Sequence, residues 1–530
     1  MRHARESTRR LACLGALFAL VVAIPAMGGP SFEVMTMVVG NGLQGAAFSP
    51  DSATIATCDD SGLVKLWETS TGKLRLKLTG HQGTVRSVAF SPDGTTLAST
   101  GFDGTIRLYD PATGQPKQVF KDTAYTYFPS FSKSGKSLVT GSWENEPRIW
   151  SLETNKLRCK LTGHSQTAWA AAFSPSGVLV ASGSRDNTVR LWDARTCEPL
   201  KTLTGHVAGV TAVIFSPDGS TITSAGADGS IRLWNVQTGT CKLTIYAHCG
   251  GTTDIAFSPD GGTLASTGGD GAVRLWDVGS GEMQRVLHEG GRCLAFSPNG
   301  KYLAAGTSSR LTLWDWSALK AVAGIRKGRA DLRPSFTKWG LSPRFQADRG
   351  FCSVLVIADA IGYALAKRSG TGGQTSVEYL NWAANQVTGY RKDGAQFFED
   401  LIKAYETYGI CLEEYMPYQS KFNERLQPSE EARRNASENL AVGLRLHAIE
   451  GQVEGPRAPD GYISQVKAVI DSGYPVCAGS SHSILLVGYL DDPEQSGGGV
   501  FIARDSGTGC YTEPTYTFVR LHTGGFYWFE

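Results

Sequence analysis

Four residues, spread along the second half of this chain, could together break an amide bond. Gln346 stands six residues before Cys352, and His482 and Asp505 follow that cysteine by 130 and 153 residues. A cysteine attacks as its thiolate, which forms more readily at the start of a helix and beside a cation. The thiolate needs a base, the base needs a group to orient it, and the oxyanion that follows attack needs a hydrogen-bond donor. Nine histidines exist in the chain, and only His447, His482 and His522 lie in its last 200 residues. Taken singly, each residue has a blander role. A cysteine before a helix is most often a buried apolar residue, and a glutamine or aspartate in a turn is usually structural. It is the joint order that points to chemistry.

The elements that must hold these residues can be read from the same region. The segments "SVLVIADAIGYALAKR", "SVEYLNWAANQV" and "GAQFFEDLIKAYETYG" carry helical patterns, whereas "SILLVGYL", "GVFIARDS" and "TYTFVRL" alternate as strands. Helices first and strands second predict a two-lobed α+β domain over residues 340–530. Cys352 would open the first helix, His482 would open a strand at a cleft, and Asp505 would end its antiparallel neighbour. Gln346 would lie close before the sulfur. The basic, turn-rich "RKGRADLRPSFTKWG" reads as a linker, residues 327–339.

This layout resembles the papain-like cysteine peptidases, whose order is Gln, Cys, His, Asn. The resemblance covers about 190 residues. It extends to "SVEYL", to "YGICLEEYMPY" with Gly409, Ile410, Glu414, Tyr415, Pro417 and Tyr418, and to "HSILLVGY". It implies Cys352 as nucleophile, His482 as base and acid, Asp505 as the orienting group and Gln346 as oxyanion donor, with no cofactor and no metal. The chain departs from the family at Ser353, where tryptophan is usual, and at Asp505, where asparagine is usual. Cys411, Cys477 and Cys510 do not fit the family's spacings. An aspartate can still orient an imidazole, and its charge favours the thiolate–imidazolium pair.

Residues 33–326 repeat. The turn "FSPDG" or a variant recurs at Phe48, Phe90, Phe131, Phe173, Phe215, Phe257 and Phe296. Each is followed by an alternating strand ending in Trp67, Tyr109, Trp150, Trp192, Trp234, Trp276 or Trp314. The period is close to that of one four-stranded blade. The units resemble WD-repeat β-propellers, in which a His, a Ser or Thr, an Asp and a Trp hydrogen-bond in series. The matching sets are His164, Ser182, Asp186, Trp192; His206, Ser224, Asp228, Trp234; and His248, Ser266, Asp270, Trp276. His81 begins a fourth set that ends in Tyr109, while Ser61, Glu144 and Ser308 hold the Asp position in units one, three and seven. These sets read as buried structural networks rather than catalytic groups. Either "SFEVMTMVV" or "ALKAVAGI" could supply the strand that closes the ring. The fold class expected is thus multidomain: an all-β seven-bladed propeller followed by the α+β papain-like domain.

Composition bounds the rest. At 530 residues the chain exceeds one ordinary core. Its net charge of +2 comes with no basic stripe, which argues against nucleic acid as a partner. Basic "MRHARESTRR", apolar "LACLGALFALVVAI" and small-residue "PAMGG" read as a secretory signal over residues 1–28. An uncleaved anchor is the other reading, and only then would a membrane be a partner. Export would permit disulfides, but the eleven cysteines form no framework and no C-x-x-C occurs. The expectation is an exported peptidase, its propeller holding a protein or peptide. The alternative is an inactive, peptidase-like scaffold that only binds peptides.

Overall fold

A computed structural model describes residues 32–40, 42–122, 124–287, 290–323 and 329–338. Further on it describes 352–370, 373–388, 398–417, 427–442, 444, 446–448, 461–479, 484–491, 499–505, 510–512 and 525–529. The region proposed as a secretory signal lies outside them. Among the described residues no helix is long and apolar enough to cross a membrane.

Residues 33–315 form seven four-stranded antiparallel sheets. Blades 1 to 6 are continuous in sequence: residues 43–78, 85–121, 126–160, 170–203, 210–246 and 252–287. Blade 7 takes three strands from residues 293–315 and its fourth from Glu33–Val38, which pairs antiparallel with Arg310–Asp315. The first strands of neighbouring blades pack side by side all the way round, the seventh against the first, so the ring is closed. The competing segment after blade 7 is not a strand. It forms helix α1 (Trp316–Ala323).

Local chemistry explains the repeat. In "FSPDG" of blade 5, the Ser216 hydroxyl donates to Asp218 and accepts the Thr221 N–H, and Asp218 accepts the Ser220 N–H. Gly219 closes this turn at φ +73°, where a Cβ would be strained. The glycine before three of the four network histidines, His81, His164 and His206, has another cause. A Cβ on Gly205 would come within 2.8 Å of the Arg232 guanidinium and 3.3 Å of the Trp234 ring.

The second region is mixed α/β. Its sheet runs, edge to edge, through Leu446–Ala448, Gly525–Phe529, Val476–Gly479, Ile484–Asp491, Gly499–Asp505 and Cys510–Thr512. Both faces are covered, and the strands alternate accordingly. Cys477, Leu485, Val487 and Ile502 face a helical layer made of α3 (Cys352–Ser369), α4 (Val377–Thr388), α5 (Phe398–Tyr408) and α6 (Glu430–Leu440). Val476, Ala478, Leu486 and Phe501 instead pack on Val466 and Ile470 of α7 (Gly461–Asp471). Helix α3 is buried on every side from Val356 to Ala366, which fits its unbroken run of apolar and small residues.

The stretch between the regions is itself built into both. Arg329–Asp331 pairs with the strand Ile484–Asp491. The following α2 (Arg333–Lys338) lies against the outer strand of blade 5. The buried Arg333 guanidinium sits 4.8 Å over the Trp276 ring of blade 6, a contact that a cation–π attraction favours.

Candidate functional site

Of the four residues expected to do chemistry, Gln346 and His482 lie outside the described residues. The backbones of Cys352 and Asp505 lie within them. Cys352 is the first residue of α3, so its amide is one of the N–H groups that a helix start leaves without a helical partner. Asp505 is the last residue of its strand, directly across from Ile484.

Backbone contacts orient α3 on the sheet. Near the helix end, Lys367 Nζ donates to the carbonyls of Ser472 and Gly473, 3.0 and 2.8 Å away. One turn inside its start, the Val356 carbonyl is 3.9 Å from the Cys477 sulfur. The chain passes from Gly473 to Cys477 as the helix is retraced from Lys367 to Val356. Helix and strand are therefore antiparallel, and the helix start points toward the Gly479 end of that strand. At this same end Ala478 pairs with Ile484, and Ile484 pairs with Asp505. The start of α3, the first residue of the Ile484–Asp491 strand and the end of the Asp505 strand thus share one end of the sheet.

Two of the quoted segments also meet. Ser376 caps α4, its hydroxyl accepting the Tyr379 N–H and donating to the Met416 carbonyl. The Ser376 N–H donates to the Cys411 carbonyl. Asn439 of α6 holds the Ile410 carbonyl, and Asn435 accepts the Leu412 N–H. "SVEYL" and "YGICLEEYMPY" therefore form one braced corner beside α3.

Buried thiols in this region are inert. Burial pushes Cys411 up to about 12 and raises Cys477 further still, so both stay protonated at neutral pH. Among the described residues no cluster of three His, Cys, Asp or Glu could hold a metal.

In the propeller the expected hydrogen-bond series is complete in blades 4, 5 and 6; in blade 2 His81 meets Ser99 and Asp103, but the Tyr109 hydroxyl donates to the Thr79 carbonyl. In blade 4 the Trp192 indole N–H donates to Ser182 Oγ at 2.8 Å. Ser182 Oγ meets His164 Nε2 at 2.8 Å, and His164 Nδ1 meets Asp186 at 2.8 Å. Every group is satisfied if the imidazole is neutral, accepting at Nε2 and donating at Nδ1. Burial opposes ionisation of Asp186, but the hydrogen bonds from His164 and Thr188 outweigh it and hold the carboxyl well below its usual range. Desolvation likewise lowers His81, against the pull of Asp103.

The departures have a physical substitute that sequence reading missed. In blades 1 and 3, where the histidine is absent, the cation two residues before the tryptophan pairs with carboxylates instead. In blade 1 Lys65 Nζ lies 2.7 Å from Asp59, and Trp67 donates to Thr57 instead of a serine. In blade 3 the buried Arg148 pairs with Asp122 and Glu144, and Trp150 donates to Thr140. The signal was the regular cation at this position: Lys65, Arg107, Arg148, Arg190, Arg232 and Arg274.

Six stretches, residues 35–68, 72–110, 155–193, 197–235, 239–277 and 282–315, match the family described as "WD domain, G-beta repeat". Residues 35–315 carry WD40 repeats. The unmatched stretch, 111–154, falls mostly in blade 3, where Arg148 replaces the histidine network. A "Periodic tryptophan protein 2 homolog" of Dictyostelium discoideum is 29% identical over 22% of this chain and 13% of its own length. Two proteins of Nostoc sp., each named as an uncharacterized WD repeat-containing protein, are 42% and 47% identical over 11% and 10% of this chain. Each match covers 4% of the Nostoc protein, so the chain spans only a small part of the curated relatives it resembles. WD40 repeats of this kind imply a protein-interaction module.

Proposed function

We propose that the chain is an exported cysteine peptidase of papain-like type, in which the WD40 propeller holds a protein or peptide and the second region cuts it. The observation that supports this most is the shared sheet end. A helix beginning at Cys352, the strand beginning at Ile484 and the end of the Asp505 strand all lie there, and His482 precedes Ile484 by two residues in sequence. The disulfide between Cys159 and Cys197, and the disulfide-bonded state of Cys249, support export to an oxidising compartment.

In this reading the Cys352 thiolate attacks the scissile carbonyl carbon. The oxyanion is held by the Gln346 side chain and the Cys352 N–H at the helix start. His482, oriented by Asp505, gives its proton to the leaving amine. A thioester to Cys352 remains, and His482 then takes a proton from the water that hydrolyses it. The products are an amine and a carboxylic acid, and the thiolate is restored.

The test is labelling with an epoxide-type thiol peptidase probe, with and without reductant, beside Cys352→Ala and His482→Ala. Labelling of the wild type alone is expected, with turnover of a casein substrate falling by a factor of about a hundred or more in either variant. Equal labelling of wild type and Cys352→Ala would end the proposal. The inactive-scaffold reading is favoured by Ser353 and Asp505, which depart from the family. It predicts casein binding without cleavage and no loss of that binding in Cys352→Ala.

A further inference from the structure

A sevenfold repeat presents each position seven times, so a departure at one position stands out against six copies. The turn that carries the network aspartate offers its preceding residue to solvent on the face where the histidines lie. Around the ring that residue is Asp60, Phe102, Trp143, Arg185, Ala227, Gly269 and Thr307. Blades 2 and 3 are thus aromatic here, and blades 5 to 7 are small. The residue that leads into the first strand departs in the same way. It is Tyr125 in blade 3 and Gly209 and Gly251 in blades 5 and 6, each bonded by the turn opposite.

The aromatic half is a continuous exposed ladder. Phe102 is 37% exposed, Tyr125 46% and Trp143 52%. Phe102 stacks on Tyr125 at 5.2 Å, and Tyr125 meets Trp143 edge-on at 5.8 Å. Nothing in blade construction needs these rings, since the same positions elsewhere hold Ala227 and Gly269. Below them the first strand of blade 3 is irregular. Phe128 has φ +29°, and its ring lies 5.2 Å from the Arg86 guanidinium; the register slip between Tyr127 and Ser130 has counterparts in the first strands of blades 1, 2, 5 and 6. A strained residue is costly, and such features gather at functional sites.

The glycine half borders a pocket of about 520 Å³. Arg86 and Arg292 both line it, with Thr253, Gly269, Gly291 and Ser308 among its walls. Among the described residues no carboxylate lines it. Arg86 is held from the side by Gln44, whose Oε1 accepts from Nη1 at 2.9 Å, and Asp254 feels its charge from deeper in the channel. Two guanidinium groups lining one pocket favour a carboxylate. An adjacent ladder of exposed rings selects an aromatic or prolyl side chain.

We infer that this face binds an extended peptide segment of a partner protein. Its acidic side chain enters the Arg86–Arg292 pocket, and an aromatic or prolyl residue lies on Phe102, Tyr125 and Trp143. The inference rests on the propeller being a protein-interaction module and does not need the second region to be active.

The probe is a fluorescein-labelled peptide array pairing an acidic residue with a tryptophan or proline at spacings of one to about six residues. Versions with the acid amidated or the ring replaced by alanine serve as controls. All arms carry Cys352→Ala, so that no peptide is cut, and all variants are checked for an unchanged thermal midpoint. Acidic–aromatic peptides are expected to bind wild-type propeller, less tightly as salt rises from about 50 to 300 mM. Arg292→Glu should weaken them by at least about tenfold, and Trp143→Ala should erase the preference for a ring while sparing that for the acid. Equal binding by wild type and Arg292→Glu would overturn the inference, as would indifference to amidation. Capture of a partner that both Arg292→Glu and Trp143→Ala leave intact would also overturn it, while leaving the propeller's general role as an interaction module standing.

Discussion

Single residues of the propeller store most of its sensitivity to acid. His81 sits neutral and buried between Ser99 and Asp103, and burial lowers its pKa below 6.5. Just below that pH the unfolded chain takes up a proton that the native ring refuses, so stability falls as the pH drops through it. Asp103, Asp186, Asp228 and Asp270 act later. Their carboxyls are held low despite burial by the histidine and hydroxyl bonds, so their contribution is present above about 4 and is lost as pH falls through the native values. Asp254 runs the other way. Burial pushes it up to about 6 although the Leu294 and Ile255 N–H groups donate to it. The native state therefore holds its proton more tightly than the unfolded chain, so stability falls as the pH rises from about 4, and the loss is complete once the pH has passed about 6. We expect Asp254→Asn to stabilise the protein by about 1–3 kcal/mol at pH 7.5 and to have little effect below about pH 4. Urea midpoints measured from pH 4 to 8 check this. A Ser182→Ala change strips partners from both Trp192 and His164 and should cost about 2–4 kcal/mol in the same assay.

Elements show what a sequence can and cannot reveal. The blade turns and the tryptophan strands were legible because each rests on local chemistry, repeated seven times. The closing strand was not. "SFEVMTMVV" and "ALKAVAGI" are both apolar and short, and only the long-range pairing of Glu33–Val38 with Arg310–Asp315 decides between them. Blade 3 hid its network because Arg148 replaces a histidine that lies in a different part of the repeat, and the ion pairs to Asp122 and Glu144 exist only in three dimensions. At the candidate site, order and spacing suggest Cys352 and Asp505 as partners. Their shared sheet end depends on how α3 lies across the strands, which no local pattern encodes. The disulfide from Cys159 in blade 3 to Cys197 beyond the last tryptophan of blade 4 was equally invisible, since irregular spacings give no pairing. It closes a loop of 38 residues and joins two blades. Its removal in a Cys159→Ser, Cys197→Ser double variant is expected to cost about 2–4 kcal/mol, seen as a lower denaturant midpoint for the oxidised protein and no difference once both are reduced.

At the scale of the whole molecule, the two regions share one apolar cluster. It runs from blades 5 and 6 to α3, α4 and α5, with Leu332 packed against it and hydrogen-bonded to Val487. Arg333 over Trp276 adds the charged contact at this seam. An Arg333→Ala change should loosen it by about 1–2 kcal/mol. Differential scanning calorimetry should then separate one transition into two, and protease should cut between residues 324 and 340 sooner than in the wild type. An unchanged single transition with unchanged cutting would mean that the seam is held elsewhere.

The strand Glu33–Val38 has a further consequence, which concerns time. Thr36 meets Thr312 across 276 residues of chain, so the first strand of the propeller must wait for the propeller's last before it finds its neighbour. Until then its backbone donors and acceptors stand open, as an edge that other chains can join. Ring closure is also the contact with the greatest loop to close, and such contacts slow folding. Synthesis therefore sets a clock. A chain stopped near residue 300 should remain sticky and protease-sensitive, whereas one extended past Asp315 should become compact in a single late step, which stalled-ribosome proteolysis can time.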